Sequence, residues 1–361
     1  MNKIRCCILG ATGLVGQQFV RLLSGHPYFE VSMLTASESS VGKTYEEATE
    51  WVVGGEMPAN VRALEVSDSR PESVLDREVS LAFCALPASI ASDIEVDLAK
   101  SGVHVFSNAS AHRMDGHTPI LIPDINPEHL RLVRKQPYGR GFIVTNSNCS
   151  TSGLVFGLRP LMSFGIRYVN VTTYQAVSGA GRRGVASMDI LGNVIPFIAQ
   201  EEEKIERESR KILGVLDVED IRPAQFEIDA SCARVPVMNG HLESVTVNLE
   251  QDVSIEDARA ALMNYTEEPQ RLRLPTAPPQ PIVVVGESDR PQPARDLHLE
   301  PPHNGMAVVI GRLRKKQRRL SFFLLVNNTI RGAAGASVLN AEFAMAKGYL
   351  NTDSEVSECR S

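Results

Sequence analysis

The sequence predicts an α/β protein with a doubly wound parallel sheet, joined to an α+β domain whose sheet is largely antiparallel. In the first 145 residues, short apolar runs alternate with helical patterns, and this alternation is typical of parallel sheets covered by helices. Residues 229–250 alternate polar and apolar side chains, as antiparallel strands do, and residues 306–327 have the pattern of a β-hairpin. The two halves therefore predict different sheets.

The composition is that of a globular protein with room for two domains. The chain has 361 residues, of which 43% are apolar and 22% charged, and its net charge of −6 argues against bulk nucleic-acid binding. No apolar run approaches the roughly 18–20 residues that a membrane span needs. Six cysteines occur without a CxxC pair or regular spacing, which disfavours a disulfide framework or a zinc site. We therefore expect a cytoplasmic protein in a reducing compartment.

The first strand and the turn after it predict a nucleotide site. The apolar run Ile4–Leu9 precedes glycines at 10, 13 and 16, and a helical pattern follows until Gly25-His26-Pro27. Glycines let the backbone approach a pyrophosphate at a helix N-terminus, so this Rossmann-like unit indicates dinucleotide binding. The spacing is GxxGxxG rather than GxGxxG, and a tight turn without a ligand is the alternative. The expected cofactor contacts are Gly10, Thr12, Gly13, Leu14, Val15 and Gly16.

The second predicted strand, FEVSMLTAS, bears on which nicotinamide cofactor is bound. NAD-binding sites usually place Asp or Glu at this strand end to bind the ribose 2′-hydroxyl. Here Glu38 is the only nearby carboxylate, whereas Ser37, Ser39, Ser40 and Lys43 are hydrogen-bond donors that suit a 2′-phosphate. The loop favours NADP over NAD, and an ordinary polar loop is the alternative.

A further strand, helix and strand continue the predicted parallel sheet. Residues 79–87 have the pattern of a buried strand with Cys84 in the core, 89–102 that of a helix and 103–110 that of a strand. Ligands of such sheets bind at the carboxyl ends of the strands. Asn108 and Arg113 lie at this strand end and are therefore candidate site residues, although an arginine here is equally typical of a plain surface.

Cys149 lies in a polar stretch, TNSNCSTSGL at residues 145–154, that sets it apart from the other cysteines. A strand gives way to a helix here, and backbone N–H groups at a helix start lower the pKa of a thiol. The same N–H groups, and the side-chain amide of Asn148, can stabilise an oxyanion. These features predict a nucleophile. A buried thiol that happens to begin a helix is the alternative.

The middle of the chain supplies further candidates. Residues 178–184, SGAGRRG, predict a flexible glycine loop, in which Ser178 and Gly179 are expected to lie against a cofactor. The charged helix pattern at 200–213 is typical of a solvated face. Arg234 and His241 lie seven residues apart, and histidine is the natural acid–base partner of a cysteine. A histidine at such a turn is more commonly just a surface residue.

The C-terminal part is predicted to contain loops, a hairpin and a helix. Residues 272–305 are rich in proline and indicate loops with one short strand. The tip of the 306–327 hairpin, RLRKKQRR, resembles a nucleic-acid patch, but without interleaved aromatics it is typical of a solvated turn. Residues 327–350 have the pattern of a loop followed by a long helix.

Several motifs, in order, resemble the aspartate-semialdehyde dehydrogenase family, in particular its branch from archaea and fungi. They are GATGLVGQ, SNCST, QAVSGAG, SMDILGNVIPF, EEEKI, CARVPVMNGHLESV, RPQP and NNTIRGAAG, and they cover essentially the whole chain. The resemblance implies a reversible reaction in which L-aspartyl 4-phosphate and NADPH give L-aspartate 4-semialdehyde, NADP and phosphate through a cysteine thioester. It also implies a role in lysine, threonine, methionine and isoleucine biosynthesis.

The resemblance implies a role for each matching residue. It makes Cys149 the nucleophile, His241 the acid–base group and Gln175 the neighbour of the nucleophile. It places Arg234 on the substrate carboxylate and implies no metal. The other matching positions are Glu201 and Lys204 around the substrate amine and phosphate, Arg113 and Asn108 on the phosphate side, and Asn328 near the nicotinamide.

The resemblance also implies a division of the chain and an assembly. Residues 1–147 and 329–361 are expected to form the dinucleotide-binding domain, and residues 148–328 the catalytic and dimerisation domain. The protein is expected to be a homodimer or homotetramer with the antiparallel sheet at the interface.

Two loops depart from the family pattern. Ser39 stands where relatives often have arginine, which weakens the case for strict NADP preference, and Arg183 and Ala186 replace two prolines, which predicts a more flexible loop. The alternatives are malonyl-CoA reductase on the same scaffold, the more distant N-acetylglutamyl phosphate reductase, and a dinucleotide-sensing protein without turnover. The motifs NSNCST and RVPVMNGH favour the aspartate enzyme.

Overall fold

A six-stranded parallel sheet forms the first part of the fold. A computed structural model describes residues 3–218, 220–298 and 303–350 of the chain. The strands are β1 (Ile4–Leu9), β2 (Phe29–Thr35), β3 (Val66–Ser67), β4 (Leu81–Cys84), β5 (His104–Ser107) and β6 (Phe142–Thr145). Their order across the sheet is β3-β2-β1-β4-β5-β6, and every neighbouring pair is parallel. The predicted doubly wound sheet is confirmed.

Helices connect these strands and cover the sheet. They are α1 (Leu14–Leu23), α2 (Tyr45–Ala48), α3 (Ala59–Arg62), α4 (Pro71–Leu75) and α5 (Ala88–Lys100), followed by a 3₁₀ helix over Pro127–Lys135. Strand β4 is buried along its whole length, and Cys84 lies in the core as the sequence predicts. Parallel strands buried on both faces by helices explain why the predicted strands appear as continuous apolar runs.

A second six-stranded sheet follows, and it is mixed. This part of the chain contains eight strands, of which six form the sheet and two form a separate ribbon. They are β7 (Ile166–Gln175), β8 (Val215–Leu216), β9 (Ile221–Arg222), β10 (Glu227–Arg234), β11 (His241–Leu249), β12 (Ile282–Val284), β13 (Val308–Lys316) and β14 (Arg319–Val326). Strands β8 and β9 form the ribbon, and the order of the large sheet is β10-β7-β11-β14-β13-β12. The β13–β14 hairpin and the short strand β12 are as predicted, but the turn is confined to Gln317 and Arg318, because the strands continue to Lys316 and from Arg319.

Strand direction departs from the prediction at one edge of this sheet. Strand β11 is antiparallel to both β7 and β14, as the alternating pattern predicts. Strand β10 instead runs parallel to β7, so the antiparallel interpretation was wrong for it. The alternation of polar and apolar residues reports that one face of a strand is buried, but it carries no information on the direction of the neighbour.

The remaining helices pack on the mixed sheet or return to the first one. They are α6 (Cys149–Leu158), α7 (Ser187–Ile190), α8 (Glu201–Ile212), α9 (Ile255–Met263), α10 (Glu268–Arg271), α11 (Pro293–Asp296) and α12 (Gly335–Ala346). Val338 and Leu339 of α12 share a core with Phe19 and Phe83 of the parallel-sheet part. This shared core is consistent with the predicted assignment of the C-terminal helix to the first domain, and the domain limits themselves stay a prediction. Residues 351–361, including Cys359, lie outside the described part of the chain.

A buried ion pair holds the turn before α12. Arg331 is fully buried, its Nη1 lies 2.9 Å from Asp124 Oδ2, and its Nε donates to the carbonyl of Met306 at 2.6 Å. The guanidinium also lies over the ring of Phe156 in α6, 4.6 Å from its centroid. This arrangement fixes α6, which carries the candidate nucleophile, against the C-terminal segment. No helix within the described ranges combines the length and apolarity required to cross a bilayer.

Candidate active site

The candidate nucleophile and the candidate acid–base residue are in contact. The sulfur of Cys149, the first residue of α6, lies 3.2 Å from Nε2 of His241, the first residue of β11. The two residues lie 92 positions apart in the chain. Helix α6 follows β6, the last strand of the parallel sheet, and β11 belongs to the mixed sheet. The pair therefore meets where the two sheets adjoin. The sequence predicted both residues separately, and the fold makes them neighbours.

A backbone donor determines the tautomer of His241. The N–H of Ala176 donates to Nδ1 of His241 at 3.1 Å, so Nδ1 must be the unprotonated nitrogen. Burial, helped by the positive charge of Arg234, lowers the pKa of His241 to about 3. The ring is therefore neutral at ordinary pH and carries its proton on Nε2, facing the sulfur of Cys149.

The thiol of Cys149 does not have the lowered pKa that the helix start predicts. Burial raises the pKa of Cys149 to about 12, and the negative charge of Glu201 adds to this effect. Arg113, Arg234 and the N–H of Ser150 act in the opposite direction without prevailing. The helix start thus acts in the predicted direction, but the loss of solvation outweighs it.

Asn148 caps α6, which changes the expectation for its side chain. Its Oδ1 accepts the backbone N–H groups of Ser150 at 2.9 Å and Thr151 at 3.1 Å. Its Nδ2 donates to Oε1 of Glu201 at 2.8 Å. The side-chain amide and the N–H groups of Ser150 and Thr151, which were expected to hold an oxyanion, thus already have hydrogen-bond partners. Asn148 is therefore the N-cap of the helix that begins with Cys149, and a direct role on an oxyanion would require its amide to leave Glu201.

Glu201 receives two side-chain amides at the start of α8. Its Oε1 accepts Nδ2 of Asn148 and Nε2 of Gln175, the latter at 3.0 Å, while the residue is only 7% exposed. Gln200, immediately before the helix, has a left-handed backbone with φ of 60°. Lys204 follows one turn later and is half-buried. The residue pattern alone indicates a solvated face for this charged helix, but part of the helix is buried in the site.

Arg234 lies beside this group at the end of β10. Its Nη1 donates to the carbonyl of Ala176 at 2.8 Å, and the side chain is buried. A Cβ atom on Gly179 would lie only 2.6 Å from this Nη1, so the glycine loop passes directly over the guanidinium. Within the described residues, no carboxylate forms an ion pair with Arg234. A buried guanidinium with spare donors is suited to binding an anionic group.

Arg113 is buried, and its positive charge acts on Cys149. Its Nη1 lies 3.0 Å from Oε1 of Glu208, and its Nη2 donates to the carbonyl of Asn108 at 2.8 Å. The side chain of Asn108 is occupied elsewhere, since its Nδ2 bonds the Cys84 carbonyl and its Oδ1 accepts from Asn146. Asn108 thus supports Arg113 through its backbone. Glu208 was not among the residues predicted from the sequence, although its position seven residues after Glu201 places both on one face of α8.

The glycine turn has the geometry that a dinucleotide requires. Gly10 has φ of +78°, and a Cβ atom on it would lie 2.9 Å from the carbonyl oxygen of Ala85. A Cβ atom on Gly16 would lie 2.2 Å from the carbonyl oxygen of Gly10, so the helix can approach the turn only with glycine there. No side chain caps α1, whose N-cap is Gly13. Its first N–H groups, near the half-buried Thr12, Leu14 and Val15, are therefore suited to a phosphate group.

The serine loop after β2 is exposed and rich in donors. The hydroxyls of Ser37 and Ser39 lie 3.1 Å apart, and Nζ of Lys43 donates to the carbonyl of Ser39 at 2.8 Å. Ser40 closes the same short 3₁₀ turn. The structure thus brings the four predicted 2′-phosphate residues onto one loop at the carboxyl end of β2.

A cleft of about 1000 Å³ runs between the two parts of the fold. It is lined on one side by Leu14 and Gln18 of α1 and on the other by Ser178 and the glycine loop. Asn328 reinforces this wall, because its Nδ2 donates to Oγ of Ser178 at 2.9 Å and its Oδ1 accepts the N–H of Gly240 at 2.8 Å. Of the predicted cofactor residues, Leu14 and Ser178 therefore line this cleft from opposite sides. No group of three or more potential metal ligands occurs in the described ranges.

Comparison with known families agrees with the two-part fold. Residues 5–133 match the family described as semialdehyde dehydrogenase, NAD binding domain. Residues 158–331 match semialdehyde dehydrogenase, dimerisation domain. The aspartate-semialdehyde dehydrogenase of Archaeoglobus fulgidus is 47% identical over 339 residues, which cover 93% of this chain and 96% of that protein.

The chain belongs to the aspartate-semialdehyde dehydrogenase family. The solved structure of aspartate semialdehyde dehydrogenase with NADP from Candida albicans superposes with a TM-score of 0.87 at 36% identity, covering 97% of this chain and all of that one. The malonyl CoA reductase (NADP) of Metallosphaera sedula is 38% identical over 357 residues, covering 97% of this chain and 99% of that protein. The family, the enzyme class and the two kinds of domain predicted from the motifs are confirmed. The identity to the malonyl-CoA enzyme is lower than that to the aspartate-semialdehyde dehydrogenase of Archaeoglobus fulgidus.

Proposed function

We propose that the protein catalyses the reversible, NADPH-dependent conversion of L-aspartyl 4-phosphate to L-aspartate 4-semialdehyde and phosphate, with Cys149 as nucleophile. The contact of 3.2 Å between the sulfur of Cys149 and Nε2 of His241 carries this proposal. The pair is surrounded by two buried guanidiniums, Arg113 and Arg234, and by one buried carboxylate, Glu201. A nucleophile between cationic groups is suited to an acyl phosphate, which carries its own negative charge.

Acyl transfer to Cys149 is the first step. The sulfur attacks the acyl carbon of the aspartyl phosphate, the bond from that carbon to the phosphate oxygen breaks, and a thioester remains on Cys149. The departing phosphate oxygen takes the proton of the thiol, and the raised pKa of the thiol makes this step dependent on the incoming substrate and on nearby cations. Arg113 is the cation placed to receive the departing phosphate, and Lys204 lies on the same helix as Glu201.

Reduction of the thioester completes the turnover. When bound, the nicotinamide supplies the hydride that converts the thioester to a hemithioacetal. As the hemithioacetal collapses to the aldehyde, Nε2 of His241 gives its proton to the departing sulfur and takes the proton of the hemithioacetal hydroxyl, so the ring is neutral before and after the step. In the opposite direction Nε2 gives its proton to the aldehyde oxygen and takes the proton of the thiol as the sulfur attacks. Gln175 keeps Glu201 in place beside the reacting carbon.

The remaining charged groups suit the two ends of an amino acid. Arg234, buried and free of ion pairs among the described residues, is proposed to bind the α-carboxylate through a guanidinium fork. Glu201 uses Oε1 for two amides, which leaves Oε2 for the α-ammonium group. Malonyl-CoA has no ammonium group. A buried carboxylate at this position therefore favours the aspartyl substrate over malonyl-CoA.

NADP is proposed as the preferred cofactor. The glycine turn at Gly10 and Gly16 and the uncapped start of α1 fit a dinucleotide pyrophosphate. Lys43 and the neighbouring hydroxyls of Ser37 and Ser39 form a cationic, donor-rich loop where a 2′-phosphate would lie. The Candida albicans relative was solved with NADP, which supports the same assignment.

A homo-oligomer in the cytoplasm is proposed as the working form. The match to a dimerisation domain over residues 158–331 supports self-association. Large apolar side chains are exposed just after the glycine loop, with Met188 92%, Leu191 70% and Phe197 66% exposed in the single chain. Light scattering on the purified protein distinguishes dimer from tetramer.

A turnover assay tests the proposed function. The protein is mixed with L-aspartate 4-semialdehyde, phosphate or arsenate, and either NADP or NAD, and the formation of reduced cofactor is followed by absorbance. We expect turnover that requires phosphate or arsenate, is faster with NADP, and is lost in Cys149→Ala. Reduction of malonyl-CoA in place of this reaction would contradict the proposal. Tight NADP binding without turnover on any acyl substrate would favour a dinucleotide sensor.

A further inference from the structure

One buried carboxylate joins the nucleophile turn to the arginine beside it. Glu208 is 2% exposed and lies on α8 two turns after Glu201. Its Oε1 accepts Nη1 of Arg113 at 3.0 Å, and its Oε2 accepts the backbone N–H of Asn148 at 2.5 Å. Asn148 immediately precedes Cys149, so a single side chain touches both the candidate phosphate-binding arginine and the residue before the nucleophile.

The contacts of Arg113 leave one edge of its guanidinium free. Nη1 is held by Glu208 and Nη2 by the carbonyl of Asn108 at 2.8 Å, whereas the buried Nε has no hydrogen-bond partner among the described residues. The hydroxyl of Ser150, next to Cys149, is likewise buried without a partner in the described part of the chain. These two unpartnered buried donors are suited to binding an anion.

Helix α8 also holds the loop that carries Arg113. Lys211, three residues after Glu208, donates from Nζ to the carbonyls of Arg113 at 2.7 Å, Asp115 at 2.9 Å and Thr118 at 2.9 Å. The side chain and the main chain of Arg113 are therefore both anchored on α8. The position of the guanidinium relative to Cys149 depends on this helix rather than on the strand from which the arginine loop departs.

We infer that Glu208 is a positioning residue that presents Arg113 to the phosphate and aligns it with Cys149. The inference rests on the proposed function and adds a group that contacts neither substrate nor cofactor. A carboxylate that accepts from two donors at once fixes their relative geometry through charge-assisted hydrogen bonds. Small displacements between a nucleophile and the groups that receive its leaving group reduce the rate strongly. Loss of either contact thus weakens phosphate binding and the alignment of acyl transfer together.

Glu208→Gln is the informative variant, and Glu203→Gln is its matched control. A glutamine keeps the shape of the side chain but replaces one acceptor oxygen with an NH₂ group, so one of the two contacts is lost. Glu203 lies on the same helix and is exposed, and its substitution by glutamine removes the same charge. In the direction of aldehyde oxidation, we expect Glu208→Gln to raise the KM for phosphate about ten- to hundredfold, with an unchanged KM for NADP. Glu203→Gln is expected to match the unsubstituted protein.

Alkylation of Cys149 by iodoacetamide gives a second readout that needs no turnover. Phosphate is expected to protect the thiol, and Glu208→Gln is expected to require about tenfold more phosphate for the same protection. Circular dichroism and NADP binding check that the variant is folded. Should Glu208→Gln fail to fold, Glu208→Asp, whose side chain is shorter, is expected to need the same increase in phosphate concentration for protection. Equal KM and equal protection in Glu208→Gln and Glu203→Gln would overturn the inference. Absence of turnover in the unsubstituted protein would instead overturn the proposed function.

Discussion

The backbone N–H of Ala176 donates to Nδ1 of His241 at 3.1 Å, and this contact decides which ring nitrogen faces Cys149 as a donor. Ala176 directly follows Gln175 at the end of β7, so the same strand end positions both an amide on Glu201 and the histidine. A backbone donor cannot change its role, unlike a hydroxyl or a water. The tautomer of His241 is therefore built into the sheet.

Nitrogen NMR of histidine-labelled protein tests this tautomer. The signals of His241, assigned by comparison with His241→Asn, are expected to be those of a neutral ring protonated on Nε2. Because burial lowers the pKa of His241 to about 3, the signals are expected to stay unchanged from neutral pH down to the acid limit of folding. A ring protonated on Nδ1, or a titration near the usual histidine pKa of about 6.5, would contradict the account.

The reactivity of Cys149 is expected to respond to two neighbouring charges in opposite directions. The negative charge of Glu201 raises the pKa of the thiol and the positive charge of Arg113 lowers it. Glu201→Gln therefore increases the thiolate fraction at a fixed pH and accelerates alkylation by iodoacetamide about three- to tenfold, whereas Arg113→Met slows it. Glu203→Gln serves as the control. Changes of the same sign in both variants would show that geometry rather than charge governs the thiol.

Gly179→Ala is expected to impair the substrate site while leaving the fold intact. The added Cβ atom would lie 2.6 Å from Nη1 of Arg234 and 3.1 Å from Cε1 of His241. The tip of the arginine is the mobile partner, so it moves, and we expect the KM for the semialdehyde to rise about tenfold. Gly286→Ala is the control, since a Cβ atom there meets nothing within 4 Å. Equal kinetics for the two variants would contradict the proposed role of Arg234.

Glu243 is expected to make stability depend on pH. It is fully buried two residues after His241, and neither carboxylate oxygen has a hydrogen-bond partner in the described ranges. Burial, with the charge of Glu201, raises the pKa of Glu243 well above its ordinary value. In the folded protein Glu243 therefore stays protonated above about pH 4.3, where the unfolded chain releases this proton. The free energy of unfolding falls as the pH rises from about 4.3 towards the raised pKa of the folded state.

Urea unfolding at several pH values tests this linkage. Glu243→Gln is neutral in both states, so its free energy of unfolding lacks this contribution. We expect the stability of the unsubstituted protein relative to Glu243→Gln to decline steadily from acidic to mildly alkaline pH. A constant difference between the two proteins over this range would show that Glu243 does not hold the proton.

Much of the fold was predictable because burial leaves a periodic record. Continuous apolar runs identified the parallel strands, and the glycine turn at Gly10 located the first helix. The direction of β10 was not predictable, since its alternation is the same for a parallel and an antiparallel neighbour. Only the crossover through α8, which lies between β7 and β10 in the chain, explains why the two strands run parallel.

The candidate site was predictable as residues but not as contacts. Cys149 and His241 were identified by residue type and local setting, yet their contact depends on how two sheets meet. The raised pKa of the Cys149 thiol and the role of Asn148 as a helix cap follow from solvation and neighbours that the sequence does not display. Glu208 was hidden in a charged helix, where burial alone distinguishes it from the exposed Glu203.

Trapping the acyl group tests the central claim most directly. The protein is incubated with L-aspartate 4-semialdehyde and NADP in the absence of phosphate, quenched with acid, and examined by mass spectrometry. One aspartyl group is expected on Cys149, lost when phosphate is added before the quench and absent in Cys149→Ala. An unmodified Cys149 despite formation of reduced cofactor, or an aspartyl group on another residue, would contradict it.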